Sequence, residues 1–152
     1  MKTLARERWK AEIISRLRSV RPDSTRRWGR MTAHQMICHL SDACRMALGQ
    51  KTVSETALPL PRPLVKWIAL YLPLRWRAGN MTRPEIDQHC DGTRPTGFAA
   101  DLAEVESLLE LMATRGADFT WPTHPVFGRM SRAAWLRWAY LHTDHHLRQF
   151  GA

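Results

Sequence analysis

Ala134–Phe150, AWLRWAYLHTDHHLRQF, reads as one helix with Ser131 as its N-cap and Gly151 just past its end. At about 100° per residue, Trp135, Ala139, His142, His146 and Gln149 share one narrow stripe. Two histidines one turn apart thus continue the face that an amphipathic helix turns toward a core. His145 sits at the border of that face, and Asp144, Arg137 and Arg148 point elsewhere. Imidazoles at i and i+4 meet above the same patch of surface, which is how a helix grips a transition metal. Buried histidines that each satisfy one hydrogen bond give the same spacing, so a metal reading needs a third ligand.

That ligand lies upstream. Thr32 opens a second helix, with Thr32 and Gln35 at capping-box spacing. The helix runs to about Leu48 and stops at Gly49. Its inner stripe is Met36, Leu40, Ala43 and Ala47, and His39 faces inward between Met36 and the small Ala43. His34 falls on nearly the opposite side. Cys38 adjoins His39 but points about 100° away, which makes it a poor fourth ligand.

The rest of the chain is also helical in pattern. Thr3–Val20 carries Trp9, Ile13 and Leu17 at four-residue spacing, with Ile14 beside them. Gly97–Thr114 carries Phe98, Leu102, Val105, Leu109 and Met112, with Gly116 as its stop. Between them, Gln50–Pro95 is broken by Pro59, Pro61, Pro63, Pro73, Pro84 and Pro95. Within it Leu64–Leu72 reads as a short helix laid over the core. That segment is too short to span a bilayer, although Arg75, Trp76 and Arg77 after it also fit a membrane surface. Ala78–Arg94 reads as loop. His89, Cys90 and Asp91 are metal-capable, but adjacent side chains diverge.

No strand-like alternation or internal repeat is present. The 152 residues make a single domain, and 44% apolar content with seven tryptophans excludes a disordered chain. Cys38, Cys44 and Cys90 form no CxxC pair, and the N-terminus has no apolar run, so the expectation is a cytoplasmic protein without signal peptide or disulfides. The charge of +9 is mostly arginine scattered along the chain. No recognition helix, zinc-finger spacing or RNA-binding aromatic motif accompanies it, so nucleic acid is not the expected partner.

Four long helices, the first and last pairs joined by short loops and the middle pair by a long crossover, predict an all-α, up-down-down-up four-helix bundle. In it His39, His142 and His146 converge. Three neutral imidazoles suit zinc, nickel, ferrous iron or copper and leave coordination positions open. Asp42, three residues after His39, and Gln149, three after His146, are candidates to orient an imidazole or a bound water. No Ser-His-Asp set or paired buried carboxylates can be read.

Three stretches carry a family resemblance: HQMICHLSDA around His39, HPVFGRMSRAAW from His124 to Trp135, and HTDHHLRQFG from His142 to Gly151. Together they resemble the DinB/YfiT-like superfamily of metal-binding four-helix proteins, within it a functionally unassigned subfamily. The resemblance covers both ends of the chain and thins over Gln50–Arg94. It implies the same bundle, a metal triad at His39, His142 and His146, and a choice of His146 over His145 from the H-x-x-Q that ends at Gln149. It further implies a thiol-dependent transferase or a hydrolase, in which zinc or nickel first, or iron, activates a low-molecular-weight thiol or water toward a small-molecule substrate. The alternative is a metal- or small-molecule-binding stress-response bundle without chemistry. Leu136, Tyr140 and Leu147 form a second apolar face on the last helix, to be covered by helix three, by Leu64–Leu72 or by a second subunit in a homodimer.

Overall fold

Among the described residues five α-helices make up the regular structure: α1 (Glu7–Ser19), α2 (Ala33–Ala47), α3 (Arg62–Tyr71), α4 (Phe98–Thr114) and α5 (Arg132–Gln149). A 3-10 turn at Pro84–Ile86 interrupts the connection between α3 and α4. This computed structural model describes every residue except Arg77, Asn80 and Met81. Arg77 of the Arg75-Trp76-Arg77 segment, and two positions in the stretch read as loop, therefore lie outside the described residues. Among the described residues there is no strand, only an isolated bridge between His124 and Gly128.

Local chemistry sets the helix ends. Thr32 and Gln35 form a capping box: Gln35 N donates to Thr32 Oγ1 at 3.1 Å and Thr32 N to Gln35 Oε1 at 2.9 Å. Ser131 Oγ accepts from Ala134 N at 3.2 Å and opens α5. Gly151, at φ 78°, closes it. Gly151 N and Ala152 N then reach the carbonyls of Arg148 and Leu147, a Schellman arrangement that a residue with a Cβ adopts only under strain. Two ends differ from expectation. Helix α1 starts at Glu7 rather than Thr3, because Arg6 is extended and Leu4 instead docks on α5, its N donating to Leu136 O at 3.2 Å. Helix α4 ends because Arg115 turns extended, not through a left-handed Gly116.

Helix α2 packs chiefly on α4, and α1 on α5. Ile13 and Leu17 of α1 are fully buried. Each such side chain contributes about 1.5–3 kcal/mol, whereas a surface ion pair such as Lys10–Glu110 between α1 and α4 contributes about 0–1 kcal/mol. Apolar burial therefore decides the packing, and the ion pairs trim it. The second face of α5 is covered within the chain. Trp9 of α1 meets Tyr140 edge-on at 6.4 Å, and α3 packs against α5 with Leu70 fully buried.

Trp76 does not face outward as a membrane-surface residue would. Its Nε1 donates to Ala69 O at 2.9 Å and its ring lies beside His142 and His145. The outer side of α3 and its flanks does stay bare: Leu60, Leu64, Trp67, Tyr71 and Leu74 are each 44–60% exposed. Among the described residues no helix is long and apolar enough to cross a membrane.

Candidate metal centre

The inward stripe of α5 and the single inward histidine of α2 meet in space. His39 Nε2 lies 3.2 Å from His142 Nε2, and one donor atom from each of His39, His142 and His146 falls within 4.8 Å of the others. Two nitrogens bound at ~2.05 Å to one tetrahedral ion sit about 3.3 Å apart, so the His39–His142 spacing is that of two ligands sharing an ion. His39 and His146 are buried and His142 keeps partial exposure toward a cavity. Cys38 stays outside the group, as does His145, whose ring packs between Trp28 and Trp76.

The outer ring nitrogens show which lone pairs are available. His39 Nδ1 donates to Ile86 O at 2.7 Å, and His146 Nδ1 donates to Gln149 Oε1 at 3.0 Å. Gln149 is itself fixed, because its Nε2 donates to Trp28 O at 2.8 Å. Each Nδ1 therefore holds the proton of the neutral ring, and each Nε2 lone pair points to the shared site. Trp138 stacks on His142 at 4.9 Å and 10° and holds that ring flat. Burial lowers the pKa of His39 and drives those of His142 and His146 well below the usual value, helped by repulsion of His142 from His146 and His39 and of His146 from His39. Neutral imidazoles are the form a metal binds.

Asp42 does something other than orient an imidazole. Its fully buried carboxylate accepts from Gln88 Nε2 at 3.0 Å, Thr93 N at 2.8 Å and Thr93 Oγ1 at 2.7 Å, and pairs with Lys51 at 2.9 Å and Arg45 at 3.2 Å. None of these partners is a triad histidine. Asp42 pins residues 88–93 to α2, and with them the segment that brings Ile86 to His39. Nothing in its sequence position reveals this, since all but one of its partners lie after α2.

A second ligand-capable group, His34, Cys38 and Asp101, lies where α2 meets α4. Its carboxylate is already engaged by Thr96 N, Thr96 Oγ1 and His34 Nε2. Burial, then the Asp101 charge, pushes the Cys38 thiol up to about 12, so the thiol keeps its proton and donates it to Asp101 across the two helices.

A cavity of about 480 Å³ opens on the triad. Trp138, Phe127, Val65 and Ala69 give it apolar walls, while Arg83 and His124 add polar ones. Neither Arg83 nor His124 follows from helical periodicity. Only the HPVFG motif marked His124, and nothing marked Arg83. Among the described residues no carboxylate lines the cavity.

A model of DUF1569, described as a protein of unknown function, matches residues 9–152. The chain belongs to the DUF1569 family. The match covers α1 from Trp9 on, the other four helices whole and every residue of the triad, so the His39, His142 and His146 cluster lies within the DUF1569 region. No curated protein and no solved structure matches the chain.

Proposed function

We propose that this DUF1569 chain is a metal-dependent enzyme of the DinB/YfiT-like type, a thiol-dependent transferase or a hydrolase. The observation that carries the reading is the convergence of Nε2 atoms whose rings are fixed from behind by Ile86 O and Gln149 Oε1. Zinc or nickel suits three neutral imidazoles best, and iron next. Such an ion, when bound, lowers the pKa of a thiol or water and yields a nucleophile at neutral pH. The chain's own residues would hold the ion, exclude bulk water with Trp76, Trp138 and Phe127, and admit a small-molecule substrate through the cavity.

The same reading takes α1, α2, α4 and α5 as an up-down-down-up bundle. The pairing of α1 with α5 and α2 with α4, and the long connection from Gln50 to Thr96, support it. Three free cysteines, two of them buried, support a cytoplasmic location. The bare stripe along α3 is the surface through which a homodimer would form.

Metal analysis of protein purified without chelator or nickel resin, followed by thiol-conjugation and ester- or amide-hydrolysis screens, tests the reading. About one ion per chain and turnover that needs it are expected. A second reading, binding without turnover, is favoured by the absence of any carboxylate in the cavity wall among the described residues. A metal-loaded protein inert to every substrate class would establish it.

A further inference from the structure

Four segments bring carbon to the cavity over the triad: Met46 from α2, Val65 and Ala69 from α3, Phe127 from the loop before α5, and Trp138 from α5. Its volume of about 480 Å³ falls among the cavities of about 300–1,000 Å³ that bury small organic ligands. What such a ligand meets is set by atoms, not by residue names, and the polar residues of the wall have their polar atoms engaged or buried.

His124 Nδ1 accepts from Val126 N at 3.0 Å and from Phe127 N at 3.1 Å, inside a turn closed by reciprocal His124–Gly128 bonds at 2.9 Å. A ring nitrogen that accepts two amide protons carries none, so the proton of the neutral ring sits on Nε2. That Nε2 is buried, and the ring lies against Phe127 at 4.5 Å and 24°. His145, packed between Trp28 and Trp76, has its Nδ1 buried as well. Arg83 donates from a terminal nitrogen to Ser54 Oγ, and its Nε is buried. Glu85 stands against that charge: Ser54 first, then its own amide and the Arg83 guanidinium, hold its carboxyl below the ordinary value. Neither Ser54 nor Glu85 lines the cavity. The triad's Nε2 atoms are then the polar end of a cavity whose remaining walls, the Thr82 hydroxyl aside, are largely carbon among the described residues.

We infer that the cavity takes an uncharged substrate, with an apolar body of one or two rings or a branched chain against Val65, Ala69, Phe127 and Trp138, and one polar, reactive end at the triad. The inference deepens the proposed function and rests on its reading of this cavity as the substrate site, but not on a bound metal. An apolar body gains from leaving water in proportion to the area it buries. A carboxylate or ammonium on the same body loses its water to a wall that offers it no uncommitted partner of opposite charge.

The test uses N-phenyl-1-naphthylamine, an uncharged dye that brightens out of water, titrated into chelator-treated protein. The dye is then displaced with 1-naphthaleneacetamide, 1-naphthaleneacetate and 1-naphthylmethylammonium, which share a ring system and differ in charge. One dye per chain is expected, with the amide displacing it about ten-fold or more better than either ion. Ala69→Phe fills the cavity and should weaken the dye about ten-fold with native circular dichroism. Trp67→Ser alters the bare outer side of α3 and should leave the dye in place. No dye binding, or an ion that displaces the dye as well as the amide does, overturns the inference, and neither result needs a variant to fold. Loss with Trp67→Ser but not with a folded Ala69→Phe puts the dye on the outer stripe and overturns it too. Zinc content, measured on untreated protein, decides the triad separately. Amide-selective binding by a chain that takes no zinc keeps this inference and removes the metal proposal. One zinc per chain with amide and acetate bound alike keeps the metal and removes this inference.

Discussion

Gln149 Oε1 accepts the Nδ1 proton of His146 at 3.0 Å while Gln149 Nε2 is held by Trp28 O. One amide thus ties the last turn of α5 to the loop before α2 and fixes the tautomer of a candidate ligand. Gln149→Leu should lower zinc affinity about 10–100-fold, because losing such a partner frees the ring and lowers its basicity. Competition against a chromophoric chelator reads the change. Unaltered affinity in a folded variant would show that packing alone orients His146.

The loop behind that amide makes a remote counterpart. A Cβ at Gly29 would lie 2.5 Å from Gln149 Nε2, and Gly29 sits at φ 77°. Gly29→Ala is expected to push Gln149 off Trp28 O and weaken zinc in the same assay, without touching any ligand.

The ligand assignment makes its own prediction. His39→Ala and His142→Ala should each reduce zinc from about one per chain to near zero by elemental analysis. His145→Ala and Cys38→Ala should leave it in place. Retention of metal in His142→Ala ends the triad.

Asp42 should behave as a structural anchor. Removing its carboxylate with Asp42→Ala strands the partners that converge on it, a loss of about 3–5 kcal/mol in urea unfolding. If any folded protein remains, its triad should still bind zinc, weakened only as far as the Ile86 segment loosens.

Acid sensitivity should centre on histidine. His124 has its pKa lowered from 6.5 to about 3 by burial, so below pH 6.5 the unfolded chain takes a proton that the folded chain refuses. Stability is therefore complete above pH 6.5 and falls as pH drops from there toward 3. The triad histidines, also lowered, act in the same direction in metal-free protein. Asp87, Asp101 and Asp144 are lowered below 3.8, so their losses begin only near that pH. Between pH 6 and 4.5 the slope for metal-free His124→Asn should be shallower by about 1.4 kcal/mol per pH unit, one proton's worth. An identical slope in chemical denaturation at several pH values would contradict it.

Helical content and all three candidate ligands were legible along the chain. The 3.6-residue spacing of Trp135, Ala139, His142 and His146 depends on nothing beyond one helix, and a helix's own geometry fixes which residues share its face. The same holds for His39 between Met36 and Ala43, and for the Thr32–Gln35 box, whose bonds are local. Gln149 was within reach because it lies one turn from His146.

What lay across the fold was not legible. The acceptor behind His39 is a backbone carbonyl, Ile86 O, 47 positions away in a stretch without periodicity, and no side chain announces it. Asp42 has the spacing of a helper to His39, yet residues 88–93 claim its carboxylate, because a helix position fixes direction and not the neighbour waiting there. Arg83 and His124 reach the cavity only once the chain after α3 has folded back over α5. The sequence alone set the faces of the helices and the residues able to bind. Tertiary structure chose their partners, since hydrogen bonds and cavities are made between segments whose separation along the chain carries no geometric information.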